Sequence, residues 1–400
     1  MRIGFIWHVP YPPDGRLERI MKAVTEHGHR AVLVCRGTDR LPAREDNGGV
    51  RIRRVRAPNL PVLSRCSSLV SYPVFFNPLW IARTLETMRE AAVDLIVVRD
   101  LPLAFMAAWV GRILGKPVIF DMAENYPAAL AAYEKWRYKP FLVANGWLPR
   151  KYERVCLQQV DRVLVVVDEQ RCRLEALGVD PSKITLVGNT PDRALLGSNG
   201  HAVDAHGDRG GAPIDLLYVG FLDPHRGCDV VLRAMPELVQ EFPGLKLTLV
   251  GDGTSRNKLA AMASSLRLEN SVEFTGFVDF SKMTDYINRS LICLIPHRRS
   301  EHTDTTMPNK LFEYMALGKP VVAADCQPIK RVIDETDCGL TFKSGDVADF
   351  RNSVRALLLD PGRDEKGRRG RKAVEERYNW DVDKRALIHA IHAMREGQPQ

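Results

Sequence analysis

The sequence predicts an α/β protein built from two doubly wound parallel-sheet domains. Its 400 residues exceed what one hydrophobic core usually supports. Short β-branched runs alternate with segments of helical period in both halves. The alternation stops once, at a stretch from Ser198 to Pro213 that is almost free of large apolar residues.

In the first half the runs Ile3–Trp7, Ala31–Cys35, Leu95–Val98, Val118–Asp121 and Val163–Val167 read as strands. They are apolar on both faces, as strands covered above and below by helices must be. Arg16–Glu26 and Leu103–Leu114 are amphipathic and read as two of those helices. The pattern halts at Asn189-Thr190-Pro191-Asp192, and the Gly-, Asp- and His-rich segment after it reads as a linker. The alternation then restarts. Asp215–Val219, Leu245–Val250, Val272–Thr275, Leu291–Ile295 and Pro320–Ala324 read as strands. Cys228–Phe242, Arg256–Ser265, Lys282–Asn288 and Pro308–Leu317 read as helices. Strand and helix in strict alternation imply βα units and a parallel sheet. After Asp349 the chain is helical to near its end, and the basic Arg363–Lys372 reads as a solvated helix face.

Composition narrows the function classes. Hydrophobic residues at 45% and charged residues at 26% suit an ordinary globular protein rather than a disordered one. The net charge of +8 favours a polyanionic partner, such as a diphosphate or an anionic membrane surface. No nucleic-acid recognition motif accompanies it, so nucleic acid is not expected as a partner. The eight cysteines are scattered without a C-x-x-C pair and read as buried thiols of a reduced compartment, not as a zinc site. No run reaches the roughly 20 apolar residues of a membrane span, and the opening Met1–Trp7 run breaks at Pro10, so no leader is expected. A cytoplasmic protein is the expectation, peripheral on the inner face of the plasma membrane where it meets a lipid.

The chemistry concentrates in His297–Lys319, HRRSEHTDTTMPNKLFEYMALGK. Thr305 or Thr306 is placed to cap a helix, Pro308 suits its first turn and Gly318 its end. A helix so placed opens at the C-terminal edge of a parallel sheet, where such folds bind ligands. The unpaired N–H groups there favour an anion such as a pyrophosphate. The helix dipole supplies only about 0.3–1 kcal/mol, so a side-chain cation must add to it. Arg226, after the strand and turn Tyr218-Val219-Gly220-Phe221-Leu222-Asp223-Pro224-His225, is that candidate, at about 1.5–3 kcal/mol for a charge-assisted bond. Lys310 is a second cation. Glu313 lies three residues on, along the same helix face, and a carboxylate there suits the paired hydroxyls of a ribose.

Together these residues resemble the donor half of retaining GT-B glycosyltransferases of family 4. The resemblance spans Leu217–Gly227, Leu249–Gly253, Phe274–Phe277 and Pro308–Ala316, and includes Val187–Asp192 and Tyr378-Asn379-Trp380. It is closest in kind to bacterial members that build surface polysaccharides and glycolipids. It implies two Rossmann-like domains facing a cleft. Residues 1–195 form the acceptor side, residues 196–213 the linker and residues 214–377 the nucleotide-sugar domain, with 378–400 packing back on the first. It also implies a metal-independent transfer, with retention, from a nucleotide diphosphate sugar to a saccharide or lipid-linked acceptor. UDP is the default nucleotide, and the nucleotide sugar is a substrate, so no cofactor is needed.

The resemblance assigns Glu313 to the ribose, Arg226 to the diphosphate and the backbone at Phe277 to the base. The turn at Gly220 and the glycine turn at Gly15 fall beside the diphosphate. Two departures stand out. Where the family's motif opens with a second Glu, eight residues before Glu313, this chain has Thr305. Where many members carry Arg after the first-turn glycine, it has Phe221, leaving Lys310 or a residue of His297–His302 to supply the missing cation. On the acceptor side, Asp121 and Glu124 in Ile119–Pro127 are candidates to orient or deprotonate the acceptor hydroxyl, or else to cap the next helix. Retention without a protein nucleophile implies front-face substitution, with the departing phosphate taking the incoming proton.

Between Ala128 and Arg154, Trp136, Tyr138, Phe141 and Trp147 mix with Lys135, Arg137, Lys139, Arg150 and Lys151, a pattern suited to an anionic membrane surface. Packed helices with a solvated basic face fit it equally. Two other functions share the framework. A nucleotide-sugar epimerase of this fold would need no acceptor, and a non-catalytic binding protein would tolerate the lost Glu.

Overall fold

The computed structural model describes residues 1–12, 14–56, 77–132, 147–197 and 214–396. The chain forms two compact units, Met1–Gly188 with Asp383–Gln400, and Asn189–Val382. The sequence put the first boundary at 195 and the return at 378. Residues 198–213, read as a linker, lie outside the described residues.

The first unit runs β1 (Arg2–Pro10), α1 (Gly15–Glu26), β2 (Arg30–Arg36), β3 (Arg44–Asn47), β4 (Val50–Val55), α2 (Pro78–Glu90), β5 (Leu95–Arg99) and α3 (Ala104–Leu114). It continues with β6 (Val118–Met122), α4 (Tyr126–Ala132), α5 (Trp147–Gln159), β7 (Arg162–Val165), α6 (Asp168–Ala176) and β8 (Ile184–Leu186). Its eight strands lie in the order β3-β4-β2-β1-β5-β6-β7-β8. Every pairing is parallel except β3 with β4. β1 is central, its Ile3 facing Ala31 and Leu95, and Ile3, Phe5 and Ile6 are buried. Helix starts follow local chemistry. The Asp14 carboxylate accepts the Leu17 N–H at 2.6 Å, and Asn77 caps α2 ahead of Pro78.

The second unit runs α7 (Ala194–Gly197), β9 (Ile214–Val219), α8 (Cys228–Glu241), β10 (Leu247–Val250), α9 (Arg256–Ser265), β11 (Val272–Gly276) and α10 (Phe280–Arg289). It continues with β12 (Ser290–Ile295), α11 (Asn309–Ala316), β13 (Val321–Ala324), α12 (Gln327–Thr336), β14 (Gly339–Phe342), α13 (Val347–Leu359) and α14 (Arg363–Glu376). Six parallel strands stand in the order β11-β10-β9-β12-β13-β14. The strand order reverses at β9, between β10 and β12, and both neighbouring connections leave from the C-terminal strand edge. Such a switch point opens a crevice for ligands.

A last helix, α15 (Trp380–Glu396), begins in the second unit and from Asp383 belongs to the first. Asp383 Oδ1 accepts the Gly188 N–H at 2.8 Å. A Cβ on Gly188 would lie 2.8 Å from the other oxygen of that carboxylate, so glycine permits the approach. Among the described residues no helix is long and apolar enough to cross a membrane. Six of the seven described cysteines are buried, Cys172 being exposed.

The bond from Gly188 to Asp383 anchors α15. Asp383→Ala is expected to cost about 1–3 kcal/mol and to speed amide exchange at Gly188. Unchanged stability and exchange would show that the helix docks by apolar contacts alone.

Candidate functional site

In the second unit the ends of β9, β10 and β11 meet backbone to backbone. The Gly220 N–H donates to Val250 O and the Gly251 N–H to Gly276 O, both at 2.9 Å. Gly251 has φ +132°, and a Cβ there would stand 2.1 Å from Gly220 O. Gly220 itself has φ +136°, with the Lys310 ammonium 2.7 Å from where its Cβ would be. Two glycines are therefore obligatory here, one for the chain and one for the cation.

Beyond Gly220 a tight turn, Pro224–Arg226, leads into Gly227 at φ +71°. A Cβ on Gly227 would fall 1.8 Å from Pro296 O, so the turn lies directly on the end of β12. Arg298 N–H to His225 O at 2.9 Å closes the same seam. Arg226 is half-buried, and its Nη1 donates to His297 Nε2 at 3.2 Å.

Helix α11 supplies the opposite wall. Tyr314 Oη accepts the Val219 N–H at 3.0 Å and ties the helix to β9. Lys310 Nζ sits 4.1 Å from the Tyr218 ring centroid and makes no hydrogen bond. Burial, and then the Arg226 charge, pull its pKa down to about 7. Glu313 lies one turn on and favours the charged lysine. Gly220, Arg226, Lys310 and Glu313 thus come together.

The capping expectation needs correction. Pro308 itself occupies the cap position, without a side-chain cap. Thr305 and Thr306 point backward instead, their hydroxyls donating to Glu301 O at 2.7 Å and His302 O at 2.9 Å. Both brace the loop before the helix. The α11 amides therefore keep no side-chain competitor for an anion. Within His297–His302 the electrostatics disfavour a cationic role for the two histidines, while Arg298 and Arg299 pair with Asp229 and Asp304. Burial, reinforced by Arg226, lowers His302 to about 4 and His297 well below its ordinary range. His225 is likewise lowered to about 4. These rings are neutral at pH 7.

Phe277 and Phe221 are 77% and 57% exposed, with ring centroids 6.3 Å apart. They flank the end of β10 as an apolar platform at the strand edge.

In the first unit Asp121 ends β6 almost wholly buried. Arg16 Nη2 donates to it at 2.7 Å and Arg99 Nη1 at 3.3 Å. Burial raises its pKa, but the two guanidinium groups outweigh burial and hold it below the usual carboxylate range. A carboxylate so paired and enclosed organises the strand end, and its burial and pairing speak against the acceptor-base role expected of it. Arg16 also binds Gly188 O at 2.9 Å and Val187 O at 3.1 Å, and Arg99 binds Asp14 at 3.1 Å. Neither arginine was singled out from the sequence; Arg16 directly after Gly15 and the charged pair Arg99-Asp100 closing a strand were the available signals. Asp100 was missed as well. It has φ +63°, rare for a non-glycine residue, and burial raises its carboxyl pKa.

Glu124 is exposed beyond β6. Asn125 accepts the Ala128 N–H of the helix that follows at 3.3 Å and caps it. Gly15 opens α1, and a Cβ there would meet nothing within 4 Å.

Residues 15–190 match the domain family described as "Glycosyl transferase 4-like domain", and residues 213–360 match "Glycosyl transferases group 1". A glycogen synthase of Mycobacterium tuberculosis is 25% identical over 47% of this chain. The match spans 44% of that relative's length. A phosphatidyl-myo-inositol mannosyltransferase of Mycobacterium leprae is 25% identical over 77% of this chain and 75% of its own. Among solved structures, sucrose-phosphate synthase from Thermosynechococcus elongatus has a TM-score of 0.75 at 17% identity, covering 99% of this chain and 100% of its own. Anabaena HepE in complex with UDP has a TM-score of 0.73 at 15% identity, covering 98% of this chain and 100% of its own. At such identities the structural likeness shows the fold. Both matched domain families are those of glycosyltransferases, which disfavours the epimerase and binder readings. With one such family in each half of the chain and the double α/β architecture to match, the protein belongs to the GT-B glycosyltransferases of family 4 type.

Proposed function

We propose that the protein transfers a sugar from a nucleotide diphosphate donor to a hydroxyl of a saccharide or lipid-linked acceptor, with retention and without a metal ion. The observation that carries this is Lys310, a buried ammonium without a hydrogen-bond partner, beside Arg226 at the start of α11. Burying an uncompensated charge is costly, and a diphosphate would supply the missing counter-charge. UDP is the default nucleotide; it is bound in the related fold of HepE.

In this reading Arg226, Lys310 and the first amides of α11 hold the diphosphate. They gain most as negative charge builds on the departing phosphate, and in a dry site that gain is large. Two side-chain cations stand in the place a metal would fill. The departing oxygen takes the proton of the incoming hydroxyl on the same face. Glu313 grips the ribose and the backbone at Phe277 meets the base. Glu124, exposed after β6, orients the acceptor, while Asp121 keeps the strand end rigid.

The surface of α5 supports contact with an anionic membrane. Trp147 is 51% and Val155 42% exposed, and Arg150, Lys151 and Arg154 share their side of the helix. Lys151 Nζ lies 4.1 Å from the Trp147 ring, so the aromatic is flanked by charge as at a lipid interface. Trp136, Tyr138 and Phe141, with Lys135, Arg137 and Lys139, lie outside the described residues.

Arg226→Ala and Lys310→Met are each expected to weaken UDP binding by about tenfold to a hundredfold, the worth of a charge-assisted bond. Lys310→Met should also raise the melting temperature of the unliganded protein by a few degrees, about 2–4 °C for each kcal/mol of relieved burial cost. Glu313→Ala should weaken UDP comparably. Calorimetric titration of UDP, GDP and TDP checks all three; wild-type affinity in the variants would remove these residues from the donor site.

Acid should destabilise the protein in a defined window. His225 and His302 titrate near 4 when folded, and His297 is lowered well below its ordinary range, against an ordinary 6.5. Between these values the unfolded chain binds protons that the folded chain does not, so stability falls as pH drops from 6.5 toward 4. UDP, by bringing negative charge to the rings, should reduce that loss. Melting curves from pH 7.5 to 4.5 that run parallel with and without UDP would place the nucleotide elsewhere.

On vesicles containing anionic lipid at low salt, the protein should float with the lipid and be released at high salt. Exchanging Trp147 for Ala together with Lys151 for Gln should weaken retention about tenfold, since a surface cation contributes about 1 kcal/mol and the aromatic more. No retention of the wild type ends the membrane proposal.

A further inference from the structure

We infer that His297 is a positioning residue for the diphosphate site: its Nε2 accepts a hydrogen bond from Arg226 Nη1 and fixes the direction in which the guanidinium faces. The inference rests on the donor reading above and adds to it a residue whose part is to hold another.

The ring has a fixed seat. His297 follows β12 by two residues and is 2% exposed. Its carbonyl accepts from Ser344 Oγ at 3.2 Å, and the next residue's N–H donates to His225 O at 2.9 Å. One residue earlier, Pro296 O lies against Gly227 so closely that no Cβ fits. The Arg226 turn and the end of β12 are therefore seamed on both sides of the imidazole. The backbone that carries the ring cannot shift without parting them.

The choice of an imidazole has a physical reason. A carboxylate at this position would orient Arg226 but also neutralise it, leaving less charge for a phosphate. A neutral acceptor orients without cancelling. Arginine offers five donors in a rigid fork. With Nη1 spent on His297 and Nε unpartnered, the fork is aimed with donors to spare.

The groups around the ring keep it in that state. Arg226 and His225 come from the turn after β9, Lys310 from α11 and His302 from the preceding loop, and all disfavour a charged imidazole. The nearby Arg298 is already paired with Asp229 of α8 at 2.7 Å. Because Arg226 donates, the proton of the ring sits on Nδ1.

Five proteins decide the matter: wild type, His297→Gln, whose amide oxygen can accept in the same place, His297→Leu, which cannot, Arg226→Ala, and Arg226→Ala with His297→Leu. UDP and uridine are titrated into each. His297→Leu should bind UDP about tenfold more weakly, the worth of one such bond, with uridine affinity unchanged. His297→Gln should stay within about threefold of wild type. In an Arg226→Ala background the leucine change should cost nothing further. Equal loss of UDP and uridine, wild-type affinity for UDP in His297→Leu, or an undiminished loss without Arg226 would each overturn the inference. In the unliganded protein, nitrogen-labelled arginine spectra read the bond directly: slowed rotation of the Arg226 guanidinium in wild type and His297→Gln, lost in His297→Leu. That measurement tests the positioning even if no nucleoside diphosphate binds the wild type, a result that would sink the donor reading itself.

Discussion

The second unit is organised by positive charge buried without a full counter-charge. Burial, reinforced by the Arg226 charge, lowers Lys310 to about 7. The features around them make sense as accommodation of that cost. Gly220 has no side chain, because the ammonium occupies its space. Tyr218 presents its ring face 4.1 Å from Lys310, a weak stand-in for an anion. Three histidines stay neutral and add no further charge. A site that destabilises the empty protein in this way has binding energy to recover when an anion arrives.

The first unit treats charge in the opposite manner. Arg16, Asp121, Arg99 and Asp14 form a closed chain of ion pairs. Breaking one member of a buried pair is strongly unfavourable, so such a chain holds strand ends rigid and leaves little for an external group. Arg16 extends the chain to Val187 and Gly188, where the polypeptide leaves the unit. Asp100, at φ +63°, adds a further pairing to Arg99 at 3.9 Å. Open charge in one unit and paired charge in the other fits the donor-binding role proposed for the second unit.

Much of this was legible in the sequence, and what was not has identifiable causes. Central strands announced themselves because both faces are buried: β1, β2 and β5 read as unbroken apolar runs. β4 did not, since Arg51, Arg53 and Arg54 make Val50–Val55 look polar. Yet Arg54 is buried, its guanidinium spent on Tyr11 O and Pro42 O and on Glu45. β14 was hidden by its brevity and by Gly339, whose absent Cβ lets Val321 O approach to what would be 1.9 Å. Arg226, Lys310 and Glu313 were readable because they sit at helix spacings after strands. The Arg16–Asp121 pair was not, because 105 residues separate its members and only the sheet order brings them together.

The departure at Phe221 takes on a different meaning once the geometry is known. Read along the chain, an aromatic where relatives carry a cation looks like a loss. In space a cation still stands at the turn, supplied from another element. Phe221 turns outward to pair with Phe277, and its carbonyl is held by Tyr218 Oη at 2.7 Å, so the turn stays closed. Lys310 reaches from α11 into the volume behind Gly220. A cation on a helix already tied to β9 through Tyr314 is better fixed than one on a free turn, and its burial makes its charge act through a lower dielectric. The same substitution gives the outer face of the turn an apolar surface shared with Phe277. A buried cation and an exposed apolar area are thereby placed on either side of one glycine, an arrangement that neither residue could provide alone.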